Sequence, residues 1–421
     1  MADVHKFVSQ QSLSGPEARG VAAGFLLAGM LIGVLGSLMV AWLYQLDTDV
    51  RVIGSHFLAF NGAALLGGYM TRRLFRRFAF RWICILACIL ASAAYIELTF
   101  APPGAVVWLR LLGVAILGCA CGCLMVTLLH ASKPYYDQHA AATINFAGIL
   151  VGCGSFLVTL TVGGTYYLYS VQWETVLLAA IPFFFYVAFV RNSQLKRGKF
   201  QPPRERSQVL TSAFKDVHSP AAVLFSLLLF FQFGNEWSLA GWLPLFLIRR
   251  LGVNPESAIF VLALYFLALV AGRIISQVLL SRVGHTKMLA GSTMAAMLGY
   301  VLLTFTNSLT GAALAAMLTG LAFAPIYALV AEKLGRRFDY RPGFFNGIFS
   351  LAVIGGMLVP WLLGFVGHYL GISYVMIVPA LGSVAVFVLM LLVLLESKLM
   401  DGSDNKPPPP QAKTFVSSAG Q

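Results

Sequence analysis

Apolar residues run along this chain in long blocks, each ended by a short polar or Gly/Pro break. The blocks fall at approximately 20–45, 52–70, 81–100, 105–129, 140–162, 174–190, 220–248, 257–281, 287–306, 310–332, 343–367 and 372–395. A helix crosses a bilayer core with about 20 predominantly apolar residues, so the pattern predicts twelve membrane-spanning helices and an all-α membrane fold. The break from 191 to 219 is the longest, is basic, contains Pro202 and Pro203, and has six blocks on either side. Five parts are therefore expected: a tail over 1–19, a six-helix bundle over 20–190, a linker over 191–219, a second six-helix bundle over 220–395, and a polar tail over 396–421. That last tail carries the run Pro407 to Pro410 and lacks the apolar surface to pack a core.

Charge gives the blocks a direction. Of the 29 Lys and Arg, 24 lie in the two tails or in the breaks on the tails' side of the bilayer, whereas the opposite breaks carry Arg51, Arg249 and Arg250. Basic residues are concentrated in cytoplasmic loops, so both termini are expected in the cytoplasm, in a multi-pass protein of the inner membrane. The composition, 59% hydrophobic and 11% charged, agrees with a lipid bilayer as partner, since a soluble domain carries roughly 25% charged residues. The net charge of +13 does not point to nucleic acid, because the basic residues sit in the short breaks where they set orientation. The segment before the first block is polar and mixed in charge, unlike a cleaved leader. All six cysteines lie inside apolar blocks, which predicts small side chains packed between helices rather than disulfides or zinc ligands.

The two halves carry traces of a duplication. At an offset of 201, Asn145 meets Asn346, Gly154 meets Gly355 and Gly163 meets Gly364; at 206, Arg76 meets Arg282 and Arg81 meets Lys287. Glycines at helical spacing, Gly29 and Gly33 in span 1 and Gly148 and Gly152 in span 5, allow helices to approach closely.

Two six-helix halves, a basic linker and basic turns after spans 2 and 8 resemble the major facilitator superfamily over about residues 18–398. The superfamily's turn reads Gly-x-x-x-Asp-Arg-x-Gly-Arg-Arg. Here it is "GYMTRRLFRRF", Gly68 to Phe78, with Thr71 at the acidic position. Three further stretches, "FGNEWSLAGWLPLFLIRRLG" from Phe233, "GLAFAPIYAL" from Gly320 and "GGMLVPWLLGFVG" from Gly355, are similar to spans 7, 10 and 11 of the fucose:proton symporter-like and sodium-dependent glucose transporter-like sugar transporters. The resemblance implies two pseudo-symmetric bundles, a central cavity lined by spans 1, 4, 7 and 10, and a secondary active carrier working by alternating access. It further implies a sugar as solute, a proton or sodium as coupling ion, no other cofactor, and a monomer. Spans 1 and 4 lack the acids that the fucose symporter uses for its proton.

A charged side chain at the bilayer centre is costly, so a retained one is a functional candidate. Glu236 in span 7 is the clearest case: a carboxyl charged only when it faces water or a cation is what a coupled carrier needs, and the alternative is a neutral or paired carboxyl clamping span 7. Gln232 and Asn235 share its stripe at helical spacing, and Trp242 offers a flat face to a sugar; Trp237 lies about 100° away, facing solute, lipid or another helix. Arg273 in span 8, counted on the order of 10 Å from Glu236 in depth at 1.5 Å per residue, is not expected to pair with it and reads as gating or structural. Glu97 and Arg110 flank the turn after span 3 at similar depth, which allows an ion pair; Arg110 also resembles the span 4 arginine that contacts solute in some members of the superfamily. Asn145 and Asn346 either bond helix to helix or reach the solute, Asn61 and Tyr327 are further cavity candidates, Pro325 should kink span 10, and Arg76 and Arg282 would stand at the gating turns.

The competing reading within the same fold is efflux of drug-like or amphipathic metabolites, to which the 13% aromatic content gives some weight. An enzyme is not expected: "HASKPYYDQH", His130 to His139, matches no metal spacing and reads as a solvated loop.

Overall fold

The computed structural model describes residues 16–44, 49–100, 107–132, 140–166, 168, 170–191, 220–337 and 342–404. The linker beyond 191 and the greater part of both tails lie outside the described residues. The first bundle holds α1 (Pro16–Tyr44), α2 (Val50–Leu74), α3 (Phe80–Phe100), α4 (Val107–Ala131), α5 (Ala140–Thr165) and α6 (Val171–Arg191). The second holds α7 (Pro220–Leu251), α8 (Pro255–Val283), α9 (His285–Phe305), α10 (Leu309–Phe323), α11 (Ile326–Arg337), α12 (Pro342–Tyr369), a 3-10 turn (Ile372–Tyr374) and α13 (Ile377–Asp404). Twelve helical stretches are long and apolar enough to cross a membrane, and the described residues contain no strand.

Local chemistry sets the ends. The Asp49 carboxylate accepts from the Arg51 amide at 2.8 Å to cap α2, and the Ser308 hydroxyl accepts from the Gly311 amide at 3.1 Å to cap α10. Gly284, at φ 79°, separates α8 from α9 in a left-handed conformation that costs glycine nothing. The tenth span breaks into α10 and α11 at Pro325, which has no N–H to continue the ladder.

The packing repeats with a shift of six spans. In the first half α1 lies on α5, α2 on α4, and α3 on α4 and α6; in the second α7 lies on α12, α8 on α10, and α9 on α10 and α13. Matched glycines do matched jobs. A Cβ on Gly154 would run into the carbonyl oxygen of Leu26 on α1, and one on Gly355 into that of Phe230 on α7. Gly163 packs under Ile259 of α8, and Gly364 against Gly54 of α2. Lipid gives helices no hydrophobic reason to associate, so such close backbone approach carries much of the packing.

The halves meet through α2 on α12, α5 on α8 and α1 on α7. On the membrane face away from the termini the seam is tight. Gly36 sits against the Ala240 carbonyl, the Phe57 ring covers Gly241 and stacks on Trp242 at 6.4 Å between centroids, and Nδ1 of His368 reaches Oδ1 of Asp49 at 3.7 Å. Arg51 holds the same carboxylate at 2.8 Å. That contact with Arg51 holds the Asp49 carboxyl below its usual range, against a smaller opposing effect of burial.

Candidate functional site

Where the bundles face each other, α1, α5, α7 and α8 line a half-open cavity of about 50 Å³. A water needs on the order of 10–15 Å³ of such space, so a few waters fit, whereas sites for small organic solutes are roughly 300 Å³ or more. The cavity as it stands is smaller than a solute site of that kind.

Two charged side chains line it. Glu236 comes from the middle of α7, with Trp237 beside it and Ala240 one turn on; Arg273 comes from α8, with Phe266 and Leu269 two turns and one turn before it. The wall from α5 is Val151, Gly152 and Ser155, and the Ser155 hydroxyl donates to the Gly29 carbonyl of α1 at 2.9 Å. Arg273 lies where it does because α5 has no side chain at Gly148: a Cβ there would collide with the guanidinium. Asn145, one turn earlier on α5, fixes the same point by donating its amide to the Arg273 carbonyl at 3.0 Å. The guanidinium keeps one buried nitrogen, Nη1, without a hydrogen-bond partner. Among the described residues no ion pair joins Glu236 to Arg273, yet the two share one cavity. The depth count followed upright helices, whereas α7 and α8, at 32 and 29 residues, are longer than an upright crossing needs.

The rest of the anticipated stripe separates. Gln232 is buried with both amide atoms unpartnered and does not line the cavity. Asn235 turns into its own bundle: its amide packs where a side chain on Gly382 of α13 would stand, and its backbone carbonyl accepts from the Tyr300 hydroxyl at 2.6 Å. Trp242 is fully buried away from the cavity and donates from Nε1 to the Pro360 carbonyl at 3.0 Å, tying α7 to α12. Tyr327 packs edge-on to Phe233 and tilted against Phe349 in the second bundle, and Asn61 bonds across the seam to the Gly356 carbonyl at 3.2 Å. Asn346 lies in α12 with its side chain outside the described residues.

The ion pair allowed between Glu97 and Arg110 is not made. Glu97 lies over Gly113 with both oxygens buried and unpartnered, while Arg110 turns toward α1 and sits over the Trp42 ring at 5.8 Å, Trp42 itself stacking on His56. Neither lines the cavity. Arg76 and Arg282 are exposed and make no ion pair among the described residues; Thr71, at the acidic position of the turn, is buried and donates to the Gly67 carbonyl at 2.8 Å.

Sequence reasoning left out Phe266 and Ser155, and the phenols of Tyr265 and Tyr300, which lie near Glu236. The Tyr265 hydroxyl is buried without a partner. Nothing distinguishes these residues from ordinary helix packing until α8 and α9 are placed against α7.

A family profile described as the Major Facilitator Superfamily matches residues 21–353 and again 225–419. Among solved structures, that of the nucleoside transporter NupG covers 91% of this chain and 99% of its own at a TM-score of 0.70 and 13% identity. A point mutant of the same transporter covers 90% and 100% at a TM-score of 0.72 and 14% identity. Likeness at such low identity speaks for the fold. No curated protein matches the sequence.

Proposed function

The chain belongs to the major facilitator superfamily, and from that premise we propose a proton-coupled carrier of a small sugar-like solute, with Glu236 as the coupling acid. It works as a monomer in the inner membrane, both termini in the cytoplasm, and exposes the cavity to each side in turn. The observation that carries the reading is the position of Glu236: a carboxyl on the cavity wall between the two bundles, where opening toward either side changes what it faces. A carboxyl that loads a proton facing one aqueous phase and releases it facing the other couples the proton gradient to bundle movement. Trp237 supplies the flat apolar face on which the C–H side of a sugar ring rests.

A nucleoside is the second reading. It joins a sugar to a flat base, the cavity has a second aromatic wall in Phe266, and two solved structures of like fold are of a nucleoside transporter. Uptake of labelled hexoses and nucleosides into proteoliposomes, under an imposed pH gradient or a sodium gradient, tests the reading. Accumulation that a protonophore collapses supports it; equilibration that ignores both gradients overturns it.

A further inference from the structure

The cavity holds one acid and one base, and among the described residues no third charged side chain lines it. The phenols near the pair, Tyr265 from α8, Tyr300 from α9 and Tyr327 from α11, are uncharged hydroxyls. With Glu236 ionised the cavity is neutral overall. With Glu236 protonated it is left with the Arg273 charge alone, and a single uncompensated ion in a low-dielectric site is strongly disfavoured.

Proton loading therefore needs a second anion to arrive, and a neutral solute does not bring one. The place for it is prepared: Arg273 is held by Gly148 and Asn145 of the opposite bundle and keeps Nη1 buried without a partner. Guanidinium binds carboxylate through parallel N–H donors better than any other side chain. We propose that the solute is an organic anion, a polyhydroxy carboxylate of the sugar-acid class, whose carboxylate binds Arg273 while one proton occupies Glu236. One negative charge and one proton cross together, so the cycle moves no net charge.

The proposal rests on the transporter reading above, and the test separates the two. The full chain is reconstituted into proteoliposomes with an alkaline interior, and labelled gluconate, glucose and uridine are offered in parallel, with potassium and valinomycin setting the membrane potential. Gluconate is expected to accumulate about tenfold for each unit of pH gradient, the limit for one proton per anion, and to be indifferent to the potential. Arg273→Gln should lower gluconate uptake at least about tenfold, because a charge-assisted pair is lost, and Arg273→Lys, which keeps the charge and guards against misfolding, should retain part of it. Accumulation of glucose or uridine without gluconate overturns the anion and leaves the carrier standing. Gluconate uptake that rises with an interior-negative potential overturns the one-proton stoichiometry, and movement of none of the three overturns both readings.

Discussion

Asn145 of α5 donates its side-chain amide to the backbone carbonyl of Arg273 on α8, 3.0 Å away across the seam between the two bundles. The contact fixes the one basic residue of the cavity to the half that does not carry it, so any movement of the bundles relative to each other moves Arg273 relative to α5. Replacement of Asn145 by Ala removes a bond of the kind worth about 0.6 kcal/mol between membrane helices. The expected outcome is a small loss of thermal stability with a faster exchange rate of solute, read from counterflow in proteoliposomes; a slower rate with unchanged stability contradicts this role.

Trp237 and Trp242 are five residues apart and belong to different jobs. Trp237→Ala strips the flat wall of the cavity and should weaken apparent solute affinity at least about tenfold, about 1.4 kcal/mol, with the fold intact. Trp242→Phe loses the bond to the Pro360 carbonyl and should lower stability by about 1 kcal/mol while leaving affinity within twofold. Solute titrations and melting curves on the two variants should show opposite patterns; an affinity loss at Trp242 larger than at Trp237 contradicts the assignment.

The glycines matched between the halves should be matched in energy. Valine at Gly154 or at Gly355 must push a backbone carbonyl aside, that of Leu26 or of Phe230. Each substitution is expected to cost roughly 1–3 kcal/mol, the range for overpacking. Melting curves that show one harmless and the other severe would argue against equivalent packing in the two halves.

On the face away from the termini, the Arg51 contact holds the Asp49 carboxyl below its usual range. A lowered carboxyl pKa adds stability that is complete above the unfolded value, about 3.9, and that disappears as pH falls through the lowered one. Asp49 is largely exposed, so the contribution is limited to about 1 kcal/mol or less. The expected difference in melting temperature between Asp49→Asn and the native chain is small just above about pH 4 and closes as pH falls below it; a difference that widens below about pH 4 contradicts the contact.

Much of the fold was legible because its signals are local. Apolar runs of bilayer length, basic breaks and Pro325 each act on neighbouring residues, and the offset of 201 placed Gly154 and Gly355 in matching roles before any helix was packed. The candidate cavity was legible in its two charged residues, Glu236 and Arg273, whose charges inside apolar runs need no partner to be noticed; which of their neighbours line it was not. Asn235 and Trp242 share α7 with Glu236, yet which of them faces the cavity depends on where α12 and α13 lie, and a helical wheel does not contain that. That Arg273 shares a cavity with Glu236 depends on how α5, α7 and α8 pack together, which a count of residues along one helix does not contain.

The central claim is that Glu236 carries the coupling proton, and Glu236→Gln tests it most directly. The amide cannot release a proton, so the variant should still exchange solute across a proteoliposome membrane at equilibrium but fail to accumulate it when a pH gradient is imposed. Accumulation by Glu236→Gln at the native level, under the same gradient, would contradict the account.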